Sequence, residues 1–262
     1  MLSKEEFQAH IDSGFNIIPV VEDLPIENQT PLTLYSQVSK KNNTFLLESV
    51  EGGDRWSQYS IIGFNCSDTI KVTGNIVELK KSNKVTSITS DDPLGEIQKI
   101  TSSFKSPNVI DLPRFHGGFV GFFAYESAKY AENKINALQR KDSKFDVHMP
   151  DIYLVKSEKI IVYDNFNNSI QAIYNANPQK TSYEDALEII DEIQNSIDHS
   201  GELKETSYSN TSGELEFKSN FTKNEYMSSV NKIKEYIKEG DVMRLGISGL
   251  GEQQQTVERY KG

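Results

Sequence analysis

With 262 residues, of which 36% are hydrophobic, 25% charged and 10% aromatic, the chain has the make-up of a folded globular protein and not of a disordered or fibrous one. A formal net charge of −10 argues against an extended nucleic-acid surface, which needs clustered Lys and Arg. The single cysteine, Cys66, excludes an intramolecular disulfide and points to a reducing cytoplasm, while the acidic start MLSKEEFQAH excludes a signal peptide and the longest apolar run, Phe119 to Tyr125, is too short to cross a bilayer.

In chain order, the first element is a helix opened by Ser3, whose spacing to Glu6 is that of a capping box, with Phe7 and Ile11 on one face and Gly14 as the stop. Thr30-Pro31 reads as an N-cap followed by proline at the first helical position, with Leu34 and Val38 inward. Phe45 to Val50 alternates as a strand, and Tyr59 to Phe64 is a second. Thr69 to Lys81 breaks at Gly74-Asn75, the composition of a two-residue hairpin turn. Asp92-Pro93 opens a helix carrying Leu94, Ile97, Ile100 and Phe104.

The glycine- and aromatic-rich segment from His116 to Glu126 reads as a buried strand closely approached by other backbone. Ile152–Val155, Lys159–Tyr163 and Ser169–Tyr174 predict a meander, turning once at Asn165–Asn168. Ser182 to Ile197 predicts a helix with Ala186, Ile190, Ile193 and Ile197 on one stripe. A polar stretch from His199 to Gly213 is the best candidate for a linker. Thr222 and Glu225 form another capping box, before a helix with Tyr226, Val230, Ile233 and Ile237 inward and Gly240 at its end. The remainder, from Arg244, has no useful periodicity and reads as a frayed tail.

These patterns specify an α+β fold and leave function open. No metal-ligand spacing, phosphate loop or nucleophile motif stands out. His10, His116, His148 and His199 read as structural or exposed; Asp146, Asp151 and Glu158 are scattered carboxylates; Cys66 has no basic neighbour and reads as inert.

Four strings carry a resemblance: Thr30-Pro-Leu-Thr-Leu-Tyr35, Phe45-Leu-Leu-Glu-Ser-Val-Glu-Gly-Gly-Asp-Arg-Trp-Ser-Gln-Tyr-Ser-Ile-Ile-Gly63, His116-Gly-Gly-Phe-Val-Gly-Phe-Phe-Ala-Tyr-Glu126 and Tyr236-Ile-Lys-Glu-Gly-Asp-Val-Met243. In this order and spacing they resemble the amino-terminal region of anthranilate synthase component I, the large subunit, within the chorismate-utilising enzymes. The second string is the most specific, and the similarity runs from about residue 15 to residue 243.

The resemblance implies antiparallel β-sheets in two sandwich-like layers flanked by helices. It implies a lyase that makes anthranilate and pyruvate from chorismate and ammonia, with a glutaminase subunit supplying the ammonia, magnesium holding the substrate carboxylate, and tryptophan inhibiting from a separate pocket. Leu47, Glu48 and Ser49 match the part of that pocket which the amino-terminal region contributes. Glu48 is then expected to meet the ligand ammonium, Ser49 its polar end, and Leu46, Leu47 and Tyr59 its indole, although neighbours on a strand point to opposite faces.

On this reading residues 1–198 are a regulatory α+β domain, 199–217 a linker, 218–243 the first helix of the chorismate-binding domain and 244–262 a divergent tail. After Met243 the resemblance stops, so the catalytic and magnesium-binding residues are expected to be absent and this chain inactive, with no cofactor of its own. Apolar faces left without their counterpart predict self-association as a homodimer. Aminodeoxychorismate synthase component I is the alternative within the family, and a stand-alone amino-acid-binding module the alternative outside it.

Overall fold

The computed structural model describes residues 2–25, 28–39, 43–48, 58–82, 84–109, 112–132, 149–197, 217–219, 221–246 and 251–253. The chain divides into two compact units, Met1–Lys204 and Glu205–Gly262.

The first unit runs α1 (Lys4–Asp12), β1 (Ile18–Leu24), α2 (Pro31–Val38), β2 (Phe45–Leu47), β3 (Tyr59–Phe64), β4 (Thr69–Thr73), β5 (Ile76–Lys81), β6 (Lys84–Thr89), α3 (Pro93–Ser102), β7 (Gly118–Phe123), a 3-10 helix (Tyr125–Tyr130), β8 (Ile152–Ser157), β9 (Lys159–Asp164), β10 (Ser169–Ala176) and α4 (Tyr183–Asn195). Its strands form two five-stranded antiparallel sheets, ordered β1-β10-β9-β3-β2 and β6-β5-β4-β8-β7. The expected α+β class, with antiparallel layers and flanking helices, is what the structure has.

Local chemistry starts the helices where expected. Ser3, Thr30 and Ser182 each accept a hydrogen bond from the backbone N–H three residues on, satisfying a donor that the helix itself leaves free, worth about 1 kcal/mol apiece. One face of the first sheet packs on α1, α2 and α4, which bring Phe7, Leu34, Val38, Ala186 and Ile190 against Ile18, Ile62 and Ile161. Its opposite face buries Ile61, Ile160, Val162 and Ile173 against Phe45, Tyr59, Leu112 and Phe115. Strand β9 is therefore apolar at consecutive positions because it is covered on both faces. The second sheet buries Ile70, Val72, Val77, Ile152 and Leu154 under Ile97 of α3.

Several expectations are corrected. The strand predicted over Phe45–Val50 spans Phe45–Leu47, and residues 49 and 50 lie outside the described ones. Helix α3 ends at Ser102, so Phe104 follows the helix and belongs to no turn of it. Strand β6 is exposed along its whole length, Val85 and Ile88 included, and was not expected from the sequence. Strand β7 is an edge strand with four of its six residues exposed, not a buried one, although Gly121 does lie under close backbone: a Cβ there would sit 1.9 Å from the Tyr153 carbonyl oxygen.

The predicted meander is also broken. β8 pairs with β4 and β7, while β9 pairs with β3 and β10, so the chain changes sheets at Glu158 and only β9–β10 is a hairpin. Three consecutive apolar segments cannot reveal this, because pairing partners are set by packing.

In the second unit, β11 (Phe217–Ser219) pairs antiparallel with β12 (Gly251–Gln253), so part of the presumed tail is a strand. Helix α5 (Lys223–Glu239) has the expected Thr222–Glu225 capping box. No residue of it is buried, so the stripe predicted to face inward, Tyr226 and Ile237 included, stands exposed or half-exposed. The predicted linker from 199 to 213 lies outside the described residues.

Candidate functional site

The segment singled out by sequence sits at the free edge of the first sheet. Among the described residues β2 is the outermost strand, paired with β3, with Phe45 opposite Gly63, Leu46 opposite Ile62 and Leu47 opposite Ile61. The Phe45 ring lies on Gly63, where a Cβ would come within 2.1 Å of it, and meets Phe115 edge-on at 6.5 Å between centroids. That contact anchors a strand too short to be stable by pairing alone.

Alternation then sorts the three leucine-region positions. Leu46 packs into the helix-side core. Leu47, opposite Ile61, falls on the other face with Phe45 and Tyr59, and is 42% exposed there. Leu46 therefore lies on the opposite face from Leu47 and Tyr59, and Phe45 shares theirs. The alternating pattern already contained this, since Phe45 and Leu47 are two residues apart.

Glu48 follows the last strand residue, is exposed, and is released from the pleat that would force it opposite Leu47. Ser49 lies outside the described residues.

A polar group closes the start of β3 on the same side. Gln58 Nε2 donates to the Tyr59 hydroxyl at 2.8 Å and to Asp164 Oδ2 at 3.3 Å. Burial works against the Asp164 carboxylate, yet backbone N–H donors of Asn167 and Phe166 and the Asn167 and Gln58 amides hold it below the ordinary carboxylate range. Burial first, and the Asp164 charge second, push the Tyr59 phenol up, so it stays protonated and able to donate. Gln58 and Asp164 carried no signal in sequence, because 106 residues separate them and only the β3–β9 register joins them.

The remaining sequence candidates have structural duties. His10 packs edge-on against Phe15, and His116 Nδ1 lies 3.0 Å from the Pro113 carbonyl oxygen. Asp151 joins Lys129, Tyr130 and the Gly74 N–H. Cys66 is buried, and burial with the nearby Glu158 charge pushes its thiol up to about 11, far from the thiolate that reactivity needs. His148, His199 and Asp146 lie outside the described residues. Among the described residues, no three His, Cys, Asp or Glu side chains gather as a metal site, and no helix is long and apolar enough to cross a membrane.

Comparison with known proteins converges on one family. Residues 42–249 match the family profile described as chorismate binding enzyme. Over 246 residues the chain is 35% identical to anthranilate synthase component 1 of Neisseria meningitidis serogroup B, covering 94% of this chain and 50% of that protein. It is 33% identical over 272 residues to anthranilate synthase component 1 of Aquifex aeolicus, covering 100% of this chain and 51% of that protein. The chain thus spans about half the length of the curated relatives it matches. In fold it resembles the crystal structure of anthranilate synthase component I from Streptococcus pneumoniae TIGR4, with a TM-score of 0.55 and 20% identity over 83% of this chain and 45% of that one. The profile match, the shared fold and the resemblance of the four strings agree: the chain belongs to the chorismate-binding enzyme family.

Proposed function

We propose that this chain supplies the amino-terminal half of an anthranilate synthase component I, and that its β2 edge forms one wall of an inhibitory L-tryptophan pocket. The reaction assigned to the whole enzyme is conversion of chorismate and ammonia to anthranilate and pyruvate, with magnesium and the catalytic groups held elsewhere and ammonia delivered by a glutaminase subunit. Support for the enzyme class comes from relatives of that name aligned over 94% of the chain.

The observation that carries the pocket is the open end of β2. A free amino acid has an ammonium, a carboxylate and an apolar side chain, and each charge is costly to bury unless it is paired. At this edge an exposed carboxylate, Glu48, follows an exposed apolar side chain, Leu47, beside the aromatic rings of Phe45 and Tyr59. Glu48 serves the ammonium, Ser49 the polar end, and the Leu47 face the indole.

With one wall only, affinity falls into the millimolar range, near 4 kcal/mol. Isothermal titration with L- and D-tryptophan tests this: stereoselective binding of the L-form, lost in Ser49→Phe, is the expected result. Equal binding of both enantiomers, an unaffected variant, or no binding at millimolar ligand would overturn the assignment of this edge. The same reading expects no anthranilate from the isolated chain given chorismate, magnesium and ammonia. It also assigns homodimerisation to the uncovered edge at β7.

A further inference from the structure

We propose that the cavity between the end of α3, the start of β7 and β10 is a second small-molecule site, one that takes a neutral aromatic ligand carrying an N–H donor. The cavity has a volume of about 420 Å³, within the usual range of ligand pockets, and all of its lining belongs to the first unit. Asn175 places it on β10, three strand spacings from the β2 edge, or roughly 14 Å, so it is separate from the tryptophan wall.

One half of a side-chain amide points to the ligand. Asn175 is 3% exposed and lines the cavity. Its Nδ2 donates to the His116 carbonyl oxygen at 2.8 Å, and because a carbonyl only accepts, that bond fixes which end of the amide is nitrogen. Among the described residues nothing donates to the other end, Oδ1. Nor is Oδ1 sealed in the core, since the one sealed side-chain polar atom without a partner among the described residues is Ser157 Oγ. On a residue so nearly buried, the surface left to Oδ1 belongs to the cavity. An acceptor in this position is costly to leave unpaired and is open to a donor that arrives from outside.

Gly117 brings the amide to the wall. A Cβ there would lie 2.6 Å from Asn175 Nδ2 and 3.0 Å from Oδ1, so the amide rests directly on backbone that also lines the cavity. His116, in the same lining, adds a second acceptor. Its Nδ1 lies 3.0 Å from the Pro113 carbonyl oxygen and so carries the hydrogen, which leaves Nε2 of the neutral ring to accept.

The side-chain donors of the lining are already engaged. Thr101 Oγ1 donates to the Gln98 carbonyl oxygen at 3.1 Å. Lys156 Nζ meets Glu158 Oε1 at 2.7 Å and lies 4.6 Å from the centre of the Phe104 ring. That pairing neutralises the one lysine of the lining, so the wall has no net charge to offer an ion, and an unpaired ion would be costly to bury there. Phe104 and Phe119 supply the apolar surface, with ring centroids 5.7 Å apart. A neutral aromatic amine or amide would set its ring against these two and its N–H on Asn175 Oδ1.

Ligand-observed fluorine NMR on the full chain at pH 7 tests this, with 4-fluoroaniline as probe and 4-fluorotoluene, of the same size but without a donor, as control. The aniline is expected to bind saturably and about tenfold more tightly, because the toluene covers Oδ1 and leaves it unpaired. In Asn175→Leu that preference should vanish, with 4-fluorotoluene bound as well as before or better. Equal affinity of the wild type for both probes, a preference that survives Asn175→Leu, or absence of saturable binding would each overturn the proposal. Should Asn175→Leu lose both probes through misfolding, Thr101→Phe decides: filling the cavity from α3 is expected to exclude both, and unchanged binding would place them elsewhere and overturn it equally. Failure here leaves the tryptophan reading untouched, since that rests on Ser49 and stereoselectivity and these probes are achiral.

Discussion

Asp151 shows what a single carboxylate does in this fold. Its Oδ2 accepts from the Gly74 N–H at 2.8 Å and the Tyr130 hydroxyl at 2.6 Å, and its Oδ1 faces Lys129 Nζ at 2.9 Å, tying the 3-10 helix to the β4–β5 turn. Burial opposes its charge, but these donors outweigh burial and hold the carboxyl below its ordinary value. Asp151→Asn should cost about 2 kcal/mol at neutral pH, because the Lys129 ammonium, 20% exposed, loses its counter-charge. With the folded value below the unfolded one, the stabilisation is present above about pH 4 and is lost as pH falls through the lower folded value. Urea unfolding at pH 7 and in strong acid checks this: the gap between wild type and variant should close in acid, and a gap independent of pH would refute the electrostatic account. Asp151 was visible in sequence only as a scattered carboxylate, since its partners come from segments 21 and 77 residues away.

At the scale of elements, the helices were legible because their signals are local. Caps at Ser3, Thr30, Ser182 and Thr222 and apolar residues at helical spacing need no distant partner. Strands were legible as segments, not as neighbours; β8 and β9 are consecutive in sequence and belong to different sheets. Two glycines separate a backbone requirement from a packing one. Gly14 has φ +83° with open space around its missing Cβ, so Gly14→Ala should cost about 1 kcal/mol through conformation alone. At Gly121 the Cβ would fall 1.9 Å from the Tyr153 carbonyl oxygen and 2.9 Å from the Leu154 Cα, so Gly121→Ala must part β7 from β8 and should cost about 3 kcal/mol. Thermal unfolding of the two variants should preserve that order, and a reversal would show that β7 does not contribute to the stability of the second sheet.

For the molecule as a whole, what matters is which edges and faces remain uncovered. Among the described residues β7 is an end strand of the second sheet, and Phe123 on it is 54% exposed. Exposed edges of this kind pair with other chains. The chain should therefore self-associate, and Phe123→Lys should return it to a monomer by placing a charge at the edge. Sedimentation velocity across a concentration series decides this; a wild-type chain that stays monomeric throughout would remove the β7 edge as an interface.

Sequence alone determined the α+β class, five helix starts, the β4–β5 hairpin and the family, because each rests on local spacing or on a continuous string of residues. It also marked Leu47, Glu48 and Ser49, and the structure puts the first two at an open sheet edge. Only the tertiary structure decided which face Leu46 takes, that β7 is an edge, that β8 and β9 part at Glu158, and that Asn175, Lys156, Phe104 and Phe119 surround one cavity. The reason is physical: caps and turns are paid for by neighbours in the chain, whereas strand order and cavities are settled by which distant surfaces exclude water together.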